Sequence, residues 1–253
     1  MKTIFKSLKL VIVLGTIMFL NSSCDTDNTS PKVEMFYGPA VNVGNGSART
    51  EVRLNQFSEP IWISIVFSGE FLEELPDEMT SYMLQLPEQA DITPFKHVAL
   101  DWNPHGHAPD SVYDLPHFDI HFYMISNEDR LAIGVNDTNA EKLPPEGFMP
   151  ANYIPFPGYV PQMGKHWGDP QAPEFNGEVF TQTMLMGSYN EKTIFYEPMM
   201  TVDYIRNKPS HTWLLSLPEN YEHEGKYYPT KYTVVSSYMK NEFTVMLKEF
   251  EKR

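Results

Sequence analysis

Apolar and polar positions alternate with a period of two along much of the chain. Residues 51–55 and 62–68 read as strands parted by a turn at Ser58-Glu59-Pro60, and residues 95–102 as a third. Strand patterns recur at 193–197, 199–205 and 232–239. A turn at Lys240-Asn241-Glu242 then leads into a last strand at 243–247. In that strand Phe243, Val245 and Leu247 share one face, and Thr244, Met246 and Lys248 share the other. Residues 71–75 suggest one short helix, stopped by Pro76. Gly44-Asn45-Gly46-Ser47 reads as a tight turn. No long amphipathic helix is present. The pattern predicts a mainly β fold: an antiparallel β-sandwich or barrel with short helical insertions and a long proline-rich loop.

That loop spans residues 143–173 and carries Pro144, Pro145, Pro150, Pro155, Pro157, Pro161, Pro170 and Pro173. Proline lacks the backbone N–H that a central strand needs, and it breaks helices. Phe148, Tyr153, Phe156, Tyr159 and Trp167 are interleaved with the prolines. Such aromatics favour an ordered loop packed as a cover over one face of the domain.

The most informative stretch is Pro116-His117-Phe118-Asp119-Ile120-His121-Phe122-Tyr123. Phe118, Ile120, Phe122 and Met124 are apolar, while His117, Asp119, His121 and Tyr123 are polar. A strand puts all four polar groups on one face, about 6–7 Å apart in sequence order. A helix would scatter the four apolar residues around its circumference and leave no core face, so the strand is predicted. Upstream lies Asp101-Trp102-Asn103-Pro104-His105-Gly106-His107, where His105 and His107 are also spaced by one residue. Gly106 permits an unusual turn there. Gly164-Lys165-His166-Trp167 adds a histidine from the proline-rich loop.

Imidazole suits zinc, copper or iron, and a carboxylate either ligates the ion or orients a histidine. His105, His107, His117, His121 and His166 are therefore the candidate ligands of a divalent transition metal. Zinc is the first choice, with copper or iron as alternatives. Asp119 and Tyr123 are candidates for proton handling beside a metal-bound substrate. The competing expectation is a solvent-exposed polar face whose histidines only bond Asp119 or loop backbone. His97, His211 and His223 show no partner pattern and read as structural or exposed. Glu197-Pro198-Met199-Met200 raises a copper alternative through thioether ligands, although methionine on strands more often fills a core. No GxSxG elbow, phosphate loop or dinucleotide fingerprint is present.

Composition narrows the setting. The 253 residues carry a formal charge of −14, which argues against a nucleic-acid partner. The single cysteine excludes an internal disulfide framework. Residues 1–23 resemble a lipoprotein signal: Lys2, Lys6 and Lys9 precede an apolar run, and Ser22-Ser23 precede Cys24. Cys24 is then the expected lipid attachment, which removes the only thiol from catalysis and tethers the domain to a membrane. Loss of those three lysines takes the charge from −14 to −17. Residues 24–32 read as a flexible polar tether, and 33–253 as a single β-rich domain.

The Asp101–His107 and Pro116–Tyr123 segments, with Gly164-Lys165-His166-Trp167, resemble a bacterial family of secreted or lipid-anchored domains catalogued as a domain of unknown function. The likeness extends to Phe71-Leu72-Glu73-Glu74-Leu75-Pro76. It implies one exported domain with the histidine segments as its signature, and it implies no particular reaction.

The expected protein is thus a lipid-anchored cell-envelope protein, periplasmic or surface-exposed, with a histidine-rich metal site and metal-assisted chemistry. The alternative is a non-catalytic binding or structural lipoprotein whose histidines brace the fold. On that alternative the aromatic loop and the tyrosines from Tyr221 to Tyr238 would dock a glycan, a small molecule, a partner protein or a second copy of the chain.

Overall fold

The computed structural model describes residues 32–253. The signal segment, Cys24 and the tether before Lys32 lie outside the described residues. Fourteen strands, two short α-helices and three 3-10 turns follow one another. The first strands are β1 (Glu34–Tyr37), β2 (Val41–Val43), β3 (Asn45–Leu54), β4 (Pro60–Glu70) and β5 (Thr80–Gln85). Next come β6 (His97–Asn103), β7 (His117–Tyr123), α1 (Asn127–Leu131), β8 (Ile154–Pro155) and β9 (Lys165–Gly168). The chain ends with β10 (Gln182–Tyr189), β11 (Lys192–Thr201), α2 (Val202–Arg206), β12 (Ser210–Leu214), β13 (Tyr227–Ser237) and β14 (Glu242–Lys252).

The strands form two antiparallel sheets. The first runs β1-β3-β4-β14-β13-β12, with β2 also on β3, and the second runs β5-β6-β7-β11-β10-β9-β8. Their end strands do not pair among the described residues, so the fold is an open sandwich and no barrel closes. Alternation explains the layering. Ile63, Ile65, Phe67, Val245 and Leu247 of the first sheet meet Leu100, Phe118, Ile120, Phe122 and Tyr196 of the second in one buried cluster. Each fully buried side chain of this size contributes roughly 1.5–3 kcal/mol.

Two expectations change. Residues 71–75 form a turn rather than a helix. Phe71 is instead drawn into the core, 4.7 Å from the Phe67 ring and 6.3 Å from that of Phe243. Five residues gain too few helical hydrogen bonds to offset nucleation, so side-chain burial decides. The two strands expected over 193–205 are one strand, β11, followed by α2, which the Thr201 side chain caps by accepting from the Tyr204 amide. Pro198 does not end β11. Its missing N–H leaves a local gap instead: pairing with β7 resumes on either side but skips Glu197 and Pro198.

The proline-rich segment is not wholly irregular. It supplies β8 and β9, which extend the edge of the second sheet. Its Phe156 and Tyr159 pack on that sheet's outer side, while Met149 and Tyr153 join the main core.

Candidate metal centre

The outer face of the second sheet is buried where the polar residues lie. All seven residues of β7 are buried, and so are all seven of β6. The polar face of β7 is therefore not a solvated one. Register explains the assembly. Asp101 of β6 stands opposite Asp119 of β7, and Asn103 opposite His117. On the other side of β7, the β11 alternation carries Glu197 to the same face between Phe195, paired with Tyr123, and Met199, paired with Asp119. His166 of β9 pairs with Gly187 of β10, which pairs with Phe195. A Cβ at Gly187 would sit 1.9 Å from the Phe195 ring, so only glycine lets that ring lie across β10.

His107 arrives from the loop between β6 and β7, where it bridges to Tyr113. Gly106 makes this possible. Its φ is +69°, and a Cβ there would be 2.0 Å from the Tyr113 carbonyl oxygen.

These residues form two like sets, each of two histidines and one carboxylate. In the first, His107 Nε2 and His117 Nε2 lie 3.1 Å from Asp119 Oδ2 and Oδ1 respectively. In the second, His121 Nε2 lies 3.3 Å from Glu197 Oε1, and His166 Nε2 lies 3.5 Å from Glu197 Oε2. Within each set one donor atom from every member lies within 4.8 Å of the others.

The far side of several rings is held. His117 Nδ1 is 2.6 Å from the Leu115 carbonyl oxygen, and His107 Nδ1 is 2.7 Å from that of Ala108. His121 Nδ1 is 3.1 Å from Asp101 Oδ2. Asn103 donates to Asp119 Oδ2 at 2.8 Å. A carbonyl only accepts, so Nδ1 of His107 and of His117 carries the proton, and the neutral ring presents a lone pair at Nε2. Those lone pairs face carboxylate oxygens. Such contacts are repulsive unless the ring gains a second proton or a cation lies between.

Orphaned atoms mark the same place. Asp119 Oδ1, Glu197 Oε2 and both ring nitrogens of His121 are buried without a hydrogen-bond partner, their contacts within the sets and to Asp101 being close approaches that lack hydrogen-bond geometry, and the Tyr123 hydroxyl and both nitrogens of His97 are orphaned too. Buried polar atoms rarely go unpaired, and this concentration points to a missing partner. The three rings also stack in a row: His97 to Tyr123 at 5.0 Å and Tyr123 to His121 at 5.3 Å.

Without an ion the charges respond strongly. Burial opposes the charged form of His121, yet the nearby carboxylates of Glu197 and Asp101 outweigh it and raise the ring to about 9. His107 is likewise raised to about 9, because Asp119 overcomes its burial. Burial would lift the Asp119 carboxyl, but the adjoining His107 and His117 rings, once protonated, hold it well below the usual carboxylate range. Burial pushes Glu197 upward. Burial, with the charge of His121, lowers His166 to about 3.

Four of the five expected histidines thus fall in these sets, His107 and His117 with Asp119, and His121 and His166 with Glu197. His105 is exposed and belongs to neither set. Tyr123 lies beside the second set with its hydroxyl buried. Asp101, Asn103 and Glu197 were not expected. Glu197 stood out in the sequence only as the first residue of Glu197-Pro198-Met199-Met200, where the methionines were the candidate ligands. Met199 and Met200 are fully buried and packed in apolar clusters, Met200 in the main core and Met199 beside Tyr113 and Phe180. The tyrosines expected at the surface mostly turn inward: Tyr228 and Tyr232 are buried, Tyr221 and Tyr227 are half-buried, and Tyr238 is exposed.

A family model described as TTHB210-like, hypothetical protein TTHB210, matches residues 59–102. That stretch runs from β4 into β6 and includes Asp101 alone among the residues of the centre. No curated protein and no solved structure matches the chain. No helix among the described residues is long and apolar enough to cross a membrane.

Proposed function

We propose that this chain is a lipid-anchored envelope protein that holds a transition metal on the outer face of its second sheet. One observation carries the metal reading: buried Nε2 lone pairs face buried carboxylate oxygens, while Nδ1 of His107 and His117 is already spent on a backbone carbonyl. Histidine ligands are held in this way by partners of their second nitrogen, and Asp101 behind His121 is a carboxylate version of the same support. Two histidines and one carboxylate suit zinc with an open fourth position, and they suit non-haem iron equally.

A bound ion would supply Lewis acidity at that open position. The chain's own part is to orient the ligands and exclude water. The side chains of His117 and His121 are fully buried, whereas that of His107 is 31% exposed. Approach to the first set is therefore from the His107 side. The envelope setting is supported by the signal-like residues 1–23 and by Cys24.

Elemental analysis of purified full-length protein, with His117→Ala and His121→Ala as controls, tests the metal reading. Metal retained near stoichiometry and lost in the variants supports it. A chain that takes up no zinc, iron or copper even after supplementation contradicts it. Metabolic labelling with a fatty acid, with Cys24→Ala as control, tests the anchor; no label on the natural chain contradicts it.

A further inference from the structure

We infer that the centre is dinuclear: His107, His117 and Asp119 hold one divalent ion, and His121, His166 and Glu197 hold a second. The inference rests on the metal reading above and adds the number and placement of the ions.

Geometry separates the sets. His117 and His121 are four residues apart on one strand, so their Cα atoms are about 13 Å apart at the usual rise and their side chains stand parallel. Side chains so arranged do not converge on one ion with bonds near 2 Å. Each is also committed to a different carboxylate, His117 to Asp119 and His121 to Glu197. Each carboxylate retains an unpartnered buried oxygen, Asp119 Oδ1 in the first set and Glu197 Oε2 in the second. Both side chains are more than nine-tenths buried. The orphaned atoms are therefore divided between the sets, and one ion would satisfy only one of them.

Charge gives the same count. Asp101, Asp119 and Glu197 are all buried, and every ion-pair contact they make among the described residues is to a histidine. With neutral imidazoles this is three negative charges in a medium that solvates them poorly. One divalent ion leaves the centre negative. Two leave a single positive charge, which a hydroxide or an anionic ligand oxygen at an open position neutralises.

The test is a zinc titration of chelator-stripped full-length protein by calorimetry, repeated with cobalt(II) and read by its visible absorption. Two ions per chain are expected. Asp119→Asn and Glu197→Gln keep side-chain shape, and each is expected to lose one ion or weaken it at least tenfold while the other persists. Should either variant fail to fold by circular dichroism, His107→Ala and His166→Ala replace it, one from the rim of each set. One ion per wild-type chain overturns the dinuclear assignment and leaves the metal reading standing. No ion at all overturns both. Folded single-set variants that lose both ions together, or keep two at wild-type affinity, also overturn it.

Discussion

Asp101 Oδ2 lies 3.1 Å from Nδ1 of His121, whose opposite nitrogen faces Glu197 at 3.3 Å. Asp101 thus acts through the ring rather than on the ion. Partners of this kind set the orientation and basicity of a histidine ligand, and their loss costs about 10–100-fold in metal affinity. Asp101→Asn should weaken the ion at His121, His166 and Glu197 by that factor and leave the other set near wild-type affinity. Competition with a chromophoric chelator resolves the two. An equal loss at both sets would show that Asp101 supports the sheet and not one ring.

Chelation should destabilise the fold. An ion at 100 times its dissociation constant adds about 2.7 kcal/mol. For a unit of this size each kcal/mol moves the midpoint by roughly 2–4 °C, so removal of each ion should lower it by about 5–10 °C. Calorimetric scans with and without chelator measure this. The double variant His117→Ala, His121→Ala should show no chelator effect.

His97 supplies an acid-sensitive element outside the ligand sets. Its ring is buried, stacks on Tyr123 and feels the positive charge of Arg130, whose guanidinium lies over the Tyr123 ring. Burial first, then the charge of Arg130, lower it to about 4 from an ordinary value of 6.5. Between those values the unfolded chain binds the proton and the native chain does not, so stability rises with pH there. The contribution of His97 is full above pH 6.5 and is lost as the pH falls towards 4. Urea unfolding of His97→Phe at pH 7 and pH 5 should show a smaller drop on acidification than the natural chain. An identical drop would remove His97 from the account.

Gly187 is required by its neighbour rather than by its own conformation. In Gly187→Ala the new methyl would meet the Phe195 ring, which packs 4.8 Å from the His121 ring and 5.1 Å from that of His166. Overpacking of this kind costs about 1–3 kcal/mol. The variant should be destabilised by that amount and should bind the second ion less tightly. Chemical denaturation and metal titration on the same sample separate the two effects.

How far the chain could be read follows from which interactions are local. Alternation in β7 is a local property, so His117, Asp119 and His121 could be placed on one face from the residues alone. Whether that face is wet or buried is decided by segments far away, and a solvated strand shows the same alternation. Glu197 lies 76 residues beyond His121, and only the antiparallel pairing of β7 with β11 carries it there. Asp101 was inside a quoted motif, yet its role depends on the β6–β7 register. His105 illustrates the reverse: a spacing of one residue suggests a shared site, but a loop that turns at Gly106 sends His107 inward and leaves His105 outside. The strands read at 193–197 and 199–205 merge through Pro198, because the interrupted pairing with β7 is confined to Glu197 and Pro198 while the other edge of β11 stays paired with β10.

The proposed ions lie between the Nε2 atoms and the carboxylates on the outer face of the second sheet. Anomalous diffraction from crystals of zinc-loaded full-length protein tests it most directly. One peak is expected about 2 Å from Nε2 of His117 and another about 2 Å from Nε2 of His121, each with its carboxylate in the coordination sphere. Zinc found only at exposed acidic side chains, with His117 and His121 bonded to protein alone, would contradict it.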